Sequence, residues 1–248
     1  MGAEGWKRAA ADGAAELVRD GTIVGLGSGS TVDDIVKAIA KAKPKSTFVP
    51  ASSSTEKLAV KLGLKMNSLD DHEEFDLVLD GADEVDPDFN LIKGRGGAHT
   101  REKILARGAK RLVIVVDKTK LVRKLGESSP VPVEILPFIL DRSLAFAHKH
   151  VMEKLAELGG KPKLRTGEDG KPFVTDNGNY IVDVNFGVIS KPAALEQKLG
   201  ELSQIGVVEN GLFIGLTDEV LVGYEDGCRT LRDKKDFLKF VAGQKNKA

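Results

Sequence analysis

The sequence predicts an α/β protein in which a doubly wound, mostly parallel sheet carries a smaller α+β module. Three observations predict it. Short apolar runs alternate with amphipathic helical stretches through the first half of the 248-residue chain. Four of those runs end in clusters of Gly, Ser, Asp or Lys. The pattern changes at Pro130, after which short strands with hairpin signals surround two helices.

Residues 3–19 read as a helix, with Ala9, Ala10, Leu17 and Val18 on its apolar stripe and Asp20-Gly21 as its stop. Thr22–Leu26 reads as a buried strand, Gly27–Thr31 as a glycine loop, and Val32–Ala42 as a helix with Val32, Ile35, Val36 and Ile39 on one face. Strands follow at Thr47–Val49, Met66–Leu69, Phe75–Leu79 and Leu112–Val116, with helices at Thr55–Leu62 and Thr100–Ala106. Beyond Pro130 the reading is a strand at Val131–Ile135, a helix at Phe138–Leu158, and short strands at Lys163–Arg165, Phe173–Thr175 and Tyr180–Val184. A helix at Ala193–Leu202 and a strand at Val207–Leu212 complete that stretch. Glu219–Tyr224 is one more buried strand, suited to rejoin the first sheet. The basic tail from Lys234 lies on the surface, anchored by Phe237, Phe240 and Val241. The expected division is a Rossmann-like unit of residues 1–130 completed by 214–248. Residues 131–213 form a ferredoxin-like insertion, a surface suited to oligomerisation.

Composition narrows the function classes. Lys plus Arg and Asp plus Glu number 37 each, so no general attraction to nucleic acid or anionic membrane is expected. Cys228 is the single cysteine, which excludes an internal disulfide and suits a reducing compartment. His72, His99, His148 and His150 have no metal-ligand spacing. No signal core or apolar span is present, so the cytoplasm is the expected location.

In an open α/β sheet, ligands bind beyond the carboxyl ends of the strands. The first such end is Gly25-Leu26-Gly27-Ser28-Gly29-Ser30-Thr31. Its glycines admit close backbone approach, the following helix start offers N–H groups to an anion, and Ser28, Ser30 and Thr31 add hydroxyls. A tight capped turn is the plainer alternative. Ser30 stands where a dinucleotide fingerprint needs glycine, and no Gly-Lys pair makes a nucleotide P-loop, so a small phosphate ester fits better. The ends at Ser52–Ser54 and Asp117–Lys120 add further polar groups.

Asp80-Gly81-Ala82-Asp83-Glu84 offers carboxylates for sugar hydroxyls or proton relay, with local turn capping as the alternative. Calcium-loop spacing is absent, whereas magnesium through Asp80 and Asp83 stays open. The stretch from Lys93 to Lys103 holds Gly94, Gly96 and Gly97, with Arg95 among them. Glu102 falls in the first turn of the next helix. An acid there is favoured by the helix dipole for stability alone, and the same field favours the ionised form that a general base needs. His99 is a second candidate base and more commonly a packing residue. Arg95 and Arg101 are candidates for phosphate contact or for plain solvation.

Together these three loops resemble the type A ribose-5-phosphate isomerase family, as do Pro132-Val133-Glu134 and Thr175-Asp176-Asn177-Gly178-Asn179. The likeness runs in order from about residue 7 to about residue 230. It implies interconversion of D-ribose 5-phosphate and D-ribulose 5-phosphate, in the non-oxidative pentose phosphate pathway, without metal or organic cofactor. It implies Glu102 as the base between C2 and C1, with Asp80, Asp83 and Lys93 handling ring opening and the oxygen protons. It implies substrate contacts from Ser28, Gly29, Ser30, Thr31, Gly81, Ala82, Gly94, Arg95, Gly96 and Lys120, with Lys7 reaching the phosphate. A homodimer or homotetramer is implied as well. Arg95 interrupts the family's usual glycine run, and His99 replaces a commonly apolar residue. The competing readings are a sugar-phosphate-sensing regulator, for which the residues before the first loop are too few to hold a DNA-binding module, and an acyl-CoA transferase or amino-sugar phosphate deaminase of related architecture.

Overall fold

A computed structural model describes residues 2–137 and 144–245 of the chain. Helix α1 (Ala3–Ala15) leads to strand β1 (Ile23–Leu26), α2 (Ser30–Ala42), β2 (Thr47–Pro50), α3 (Ser53–Lys61) and β3 (Leu77–Asp80). Two short strands, β4 (Glu84–Val85) and β5 (Leu91–Ile92), precede α4 (His99–Arg107) and β6 (Leu112–Asp117). Then come β7 (Val131–Ile135), α5 (Leu144–Glu157), β8 (Lys161–Leu164), β9 (Tyr180–Asn185), α6 (Pro192–Glu201) and β10 (Val207–Asn210). The chain closes with β11 (Leu212–Phe213), β12 (Glu219–Tyr224), β13 (Gly227–Leu231) and α7 (Lys234–Lys245).

The main sheet has the order β13-β12-β6-β3-β1-β2, parallel except for the edge strand β13. Its inner strands are largely apolar because helices cover both faces, whereas the edge strand β13 is mostly exposed. Leu26, Leu79 and Val113 pack with α1 and α2 on one side. Val78, Ile114 and Val116 pack with Leu105, Phe237 and Phe240 on the other. Parallel pairing puts the carboxyl ends of β1, β2, β3 and β6 along one edge, which gathers the glycine loop, Ser52–Ser54, Asp80 and Asp117 there.

The second sheet has the order β10-β7-β9-β8 and is antiparallel. With α5 and α6 it gives the split-βαβ arrangement expected for the ferredoxin-like part. A third sheet, β11-β5-β4, joins the two larger ones. It is the largest element that the sequence pattern does not reveal, because two-residue strands carry no periodicity.

Several boundaries differ from expectation. Helix α1 ends at Ala15 because Leu17 and Val18 turn back to the carbonyls of Ala14 and Ala15. Met66 makes only a single bridge to Phe48. The expected strand there gives way to a short 3₁₀ turn, Leu69–Asp71, started by a reciprocal cap between Ser68 and Asp71. Phe173–Thr175 is a loop, held by the Phe173 N–H on the Arg165 carbonyl at 2.9 Å and the Thr175 N–H on the Asn179 carbonyl at 2.9 Å rather than by a continuous strand ladder. Of the helix expected from Phe138 to Leu158, residues 138–143 lie outside the described residues. The tail is helical, with Phe237 and Phe240 buried.

A buried carboxylate ties the second sheet to α4. Glu134 on β7 accepts from Thr100 Oγ1, from Thr175 Oγ1 at 3.0 Å, from Asn177 Nδ2 at 3.1 Å and from Asn179 Nδ2 at 2.8 Å. Burial alone would raise its proton affinity, but the bonds from Thr100, Asn179 and Asn177 outweigh that and hold the carboxyl below its ordinary value of 4.5. Glu134→Leu strands these donors, and the expected loss in urea unfolding at pH 7 is about 3 kcal/mol. Because the folded-state value is depressed, the difference from the parent protein should shrink as pH falls below 4.5. A difference that holds constant down to pH 3 contradicts the account.

Candidate active site

The carboxyl edge of the main sheet opens into a cavity of about 300 Å³. Ser28, Gly29, Ser30 and Thr31 form one wall, and Gly81, Ala82 and Asp83 another. Lys93, Gly94, Arg95, Gly96, Glu102 and Lys120 complete it. Of the residues to which the family resemblance gives a catalytic or substrate-binding role, Asp80 and Lys7 are not on this wall. Asp80 lies directly behind it. Lys7 Nζ sits 3.5 Å from Ser30 Oγ and pairs with Glu4 at 2.9 Å.

Local backbone rules shape the first wall. Gly29 precedes α2 with φ of 102° and gives no side-chain cap, so the start of the helix at the cavity wall carries no capping side-chain oxygen. Gly27 is required by its neighbour, since a Cβ there would stand 1.9 Å from Asp80 Oδ1. Ser52 supports the loop from behind instead of lining the cavity. Ser28 Oγ donates to Ser52 Oγ at 2.9 Å, and Thr55 Oγ1 donates to the Gly27 carbonyl at 3.0 Å. Asp117 likewise acts indirectly, accepting from Thr119 N at 2.8 Å to cap the Lys118–Lys120 turn that presents Lys120.

The third sheet places the central cation. Lys93 follows β5 directly, and its N–H donates to the Gly211 carbonyl at 2.9 Å, just before β11. Its ammonium Nζ lies 2.9 Å from Asp80 Oδ2 and 3.2 Å from Glu102 Oε2, and it donates to the Gly81 carbonyl at 2.6 Å. The Phe213 ring covers it at 5.5 Å, and the same ring covers Lys103 at 5.0 Å. Lys103 is itself buried and paired to Glu209 at 2.7 Å, which fixes α4 against β10. Nothing in the spacing of the sequence signals Phe213 or Glu209.

Electrostatics follow from this geometry. Burial pulls the Lys93 ammonium towards the neutral form, but Asp80 and then Glu102 outweigh it, so the lysine is held charged. Glu102 is pushed up to about 8, first by burial and then by the Asp80 charge, against the opposing pull of Lys93. Asp80 is also raised, by burial above all. Two carboxylates around one cation leave one negative charge in excess, which favours a proton on the pair. Glu102 Oε2 has its ion pair with Lys93 but no hydrogen bond of good angle. Glu102 as a residue lines the cavity, with this oxygen buried against Lys93.

His99 does not share this position. It is fully buried beneath Gly94, and burial pushes its imidazole down to about 4. It packs as a neutral ring. Arg101 turns away, donating to Asn177 Oδ1 at 2.7 Å and to the Asp176 carbonyl at 3.1 Å. Among the described residues no cluster of His, Cys, Asp and Glu could hold a metal ion.

Known proteins match the chain over nearly its whole length. The family model for ribose 5-phosphate isomerase A (phosphoriboisomerase A) matches residues 47–227. The chain is 46% identical to a ribose-5-phosphate isomerase A of Thermosynechococcus vestitus, over 88% of this chain and 90% of that one. It is 43% identical to one from Methanosarcina acetivorans, over 90% and 92%. Among solved structures, ribose 5-phosphate isomerase A of Methanocaldococcus jannaschii superposes with a TM-score of 0.84 at 38% identity, covering 93% of this chain and 99% of that one. A D-ribose-5-phosphate isomerase in complex with phospho-erythronic acid superposes with a TM-score of 0.86 at 37% identity, over 94% and 100%.

The raised Glu102 carboxyl has a measurable consequence for stability. Its folded-state value lies above the ordinary 4.5, so its contribution to stability is present below pH 4.5 and is lost as pH climbs towards 8. Glu102→Gln lacks that loss. The variant should match the parent in denaturant midpoint near pH 4.5 and exceed it at pH 8.5. A variant less stable at pH 8.5 than the parent contradicts the assignment of a net buried charge.

Proposed function

We propose that Glu102 is the proton-transferring base of this site, on the premise that the chain belongs to the ribose 5-phosphate isomerase A family and interconverts D-ribose 5-phosphate and D-ribulose 5-phosphate. The observation that carries the reading is the shared ammonium. Lys93 lies 3.2 Å from Glu102 and 2.9 Å from Asp80, with Glu102 on the cavity wall and Asp80 behind it.

The reaction requires removal of a proton next to a carbonyl. The Glu102 carboxylate takes the C2 proton of the open-chain aldose. The C–H electron pair becomes the C1–C2 double bond, and the carbonyl pair moves onto O1. Lys93 stabilises that oxygen as its charge develops. O1 gains a proton, O2 loses one, and Asp83 on the same wall is suited to carry protons between oxygens and to assist ring opening. Glu102 then returns its proton to C1, giving the ketose with no net redox change. A base is most effective when its proton affinity lies near the working pH, and burial has brought a glutamate into that range.

The phosphate belongs at the other wall. The open N-terminus of α2, the hydroxyls of Ser30 and Thr31, and Lys120 suit a dianion, with Lys7 behind Ser30. Gly29, Gly81, Ala82, Gly94 and Gly96 keep the walls low so that a short sugar chain fits between. Arg95 adds a cation at the rim. The ligand of the solved relative, phospho-erythronic acid, pairs a phosphate with a carboxylate. The same two charges suit the two ends of this cavity.

A homodimer or homotetramer in the cytoplasm is part of the reading, and sedimentation of the purified chain checks the assembly. Val174 and Val188 support it, being more than half exposed on loops flanking β9. No helix among the described residues is long and apolar enough to cross a membrane. Residues 131–213 as a smaller unit are supported by a third apolar cluster containing Val133, Val151 and Val184.

Glu102→Gln should lower kcat by about 10³-fold while KM changes only a few-fold, since general base catalysis carries most of that factor. Near-normal turnover excludes Glu102 as the base. The acid limb of kcat/KM in the parent protein should have its midpoint well above 4.5, towards 8, because the base must be ionised and its ionised fraction rises with pH. A midpoint at 4.5 contradicts the buried pairing. Turnover should also persist in EDTA, and a strict metal requirement would return Asp80 and Asp83 to the role of ligands.

A further inference from the structure

The glycine loop between Lys93 and Glu102 is gripped from the second sheet. Arg165 follows β8, and its Nη1 donates to the carbonyls of Gly94 at 3.1 Å and Arg95 at 2.9 Å. The opposite edge of the guanidinium is held by Asp183 on β9, with Nε donating to Oδ2 at 2.8 Å and Nη2 donating to Oδ1. Both side chains are largely out of solvent, at 14% exposed for Arg165 and 26% for Asp183. The Phe173 ring lies 5.8 Å below the guanidinium. That ring also meets the loop, because a Cβ on Gly97 would stand 2.5 Å from it. Arg165 lines a separate cavity of about 250 Å³ beside the substrate cavity, and the two share Asp83 and Arg95.

We propose that Arg165 is a positioning residue for the isomerase reaction, fastening the Gly94–Arg95 turn to the second sheet and so setting the spacing between Lys93 and Glu102. Gly94 has φ of 106° and Gly97 has φ of 83°, a conformation in which glycine has no steric preference for the observed geometry. Asp83 Oδ2 accepts from the Arg95 N–H at 3.1 Å on the main-sheet side, and Arg165 supplies the matching restraint from the second sheet. Within the loop the Gly94 carbonyl accepts from the Gly97 N–H at 3.0 Å, and Arg165 adds a second bond to it and one to the Arg95 carbonyl. An arginine is suited to the task because its planar fork can serve a carboxylate on one edge and two carbonyls on another. Lysine offers one ammonium and cannot span both. The clamp does not touch the cavity, so it acts on the reacting end through loop placement. The phosphate end, built on α2 and Lys120, is independent of it.

The inference rests on the reading of Glu102 as the base, and the test separates the two. Arg165→Met, Arg165→Lys and Asp183→Asn are compared with the parent protein, each well below its melting temperature. The first two should lose about 10- to 100-fold in kcat, as expected for a base displaced by a fraction of an ångström to one ångström, with KM within about threefold. Asp183→Asn should fall between them and the parent, since its amide can hold only part of the fork. Inhibition by inorganic phosphate should be unchanged in all three. Inhibition by phospho-erythronic acid, whose carboxylate needs the reacting end, should weaken about tenfold in Arg165→Met, in step with kcat. A kcat within twofold of the parent in Arg165→Met overturns the proposal. So does a loss confined to KM with a matching rise in the phosphate inhibition constant. Near-normal turnover in Glu102→Gln removes the reading beneath it, whatever Arg165 does.

Discussion

One buried ammonium shared by two carboxylates governs this structure. Asp80, Lys93 and Glu102 are each almost entirely out of solvent, and the lysine sits about equally close to both acids. At such distances each attraction is worth on the order of 5 kcal/mol at an effective dielectric near 20. The desolvation of each ion costs several kcal/mol, and the two acids repel each other. No term wins by a wide margin. That near-balance leaves the proton affinity of Glu102 close to neutrality, where a base that must both take and return a proton works best.

Holding three charges in that balance requires the surrounding fold. Asp80 is fixed at the end of a central strand, against a glycine that has no Cβ to obstruct it. Lys93 is fixed by two-residue strands and by the Gly81 carbonyl, under the Phe213 ring. Glu102 is fixed by α4, which Lys103 and Thr100 anchor to β10 and β7. The second sheet thus holds α4 at Glu134 and the glycine loop at Arg165. Glu84 extends the same logic. Fully buried, it accepts from the backbone N–H groups of Gly126, Ser128 and Ser129, which secures the turn leading into β7.

The parts of the site made by strand ends were legible in the sequence. Parallel strands put their carboxyl ends on one edge, so Ser28–Thr31, Asp80–Asp83 and Lys120 follow from the apolar pattern and the residues that terminate it. Lys93 and Glu102 followed from the glycine loop and the helix start. Glycine 27 was legible as permissive backbone, but its reason, the Asp80 carboxylate 1.9 Å from where a Cβ would be, is a tertiary fact. Arg165, Phe213 and Glu209 were illegible for the same cause. Each acts across 70 or more positions of sequence, on residues whose spacing carries no period. The short strands β4, β5 and β11 were lost because two residues cannot display alternation. Met66–Leu69 was misread because a serine-to-aspartate cap outweighed an apolar run.

The contrast between Glu102 and His99 shows how one environment moves a carboxyl and an imidazole in opposite directions. The two stand three positions apart on the first turn of α4, and both are buried. Burial disfavours charge in either, and the consequence for proton affinity is opposite. The imidazole falls to about 4, where it is neutral at physiological pH. The carboxyl rises to about 8, where it exchanges a proton readily. The residue whose free form titrates nearest neutrality is thereby removed from that range, and the residue that ordinarily ionises far below is brought into it. The only further difference is that one side chain reaches the cavity wall and the other packs beneath Gly94. A single low-dielectric wall therefore lowers the proton affinity of the histidine and raises that of the glutamate, and of the two only the carboxyl is both near neutrality and on the cavity wall.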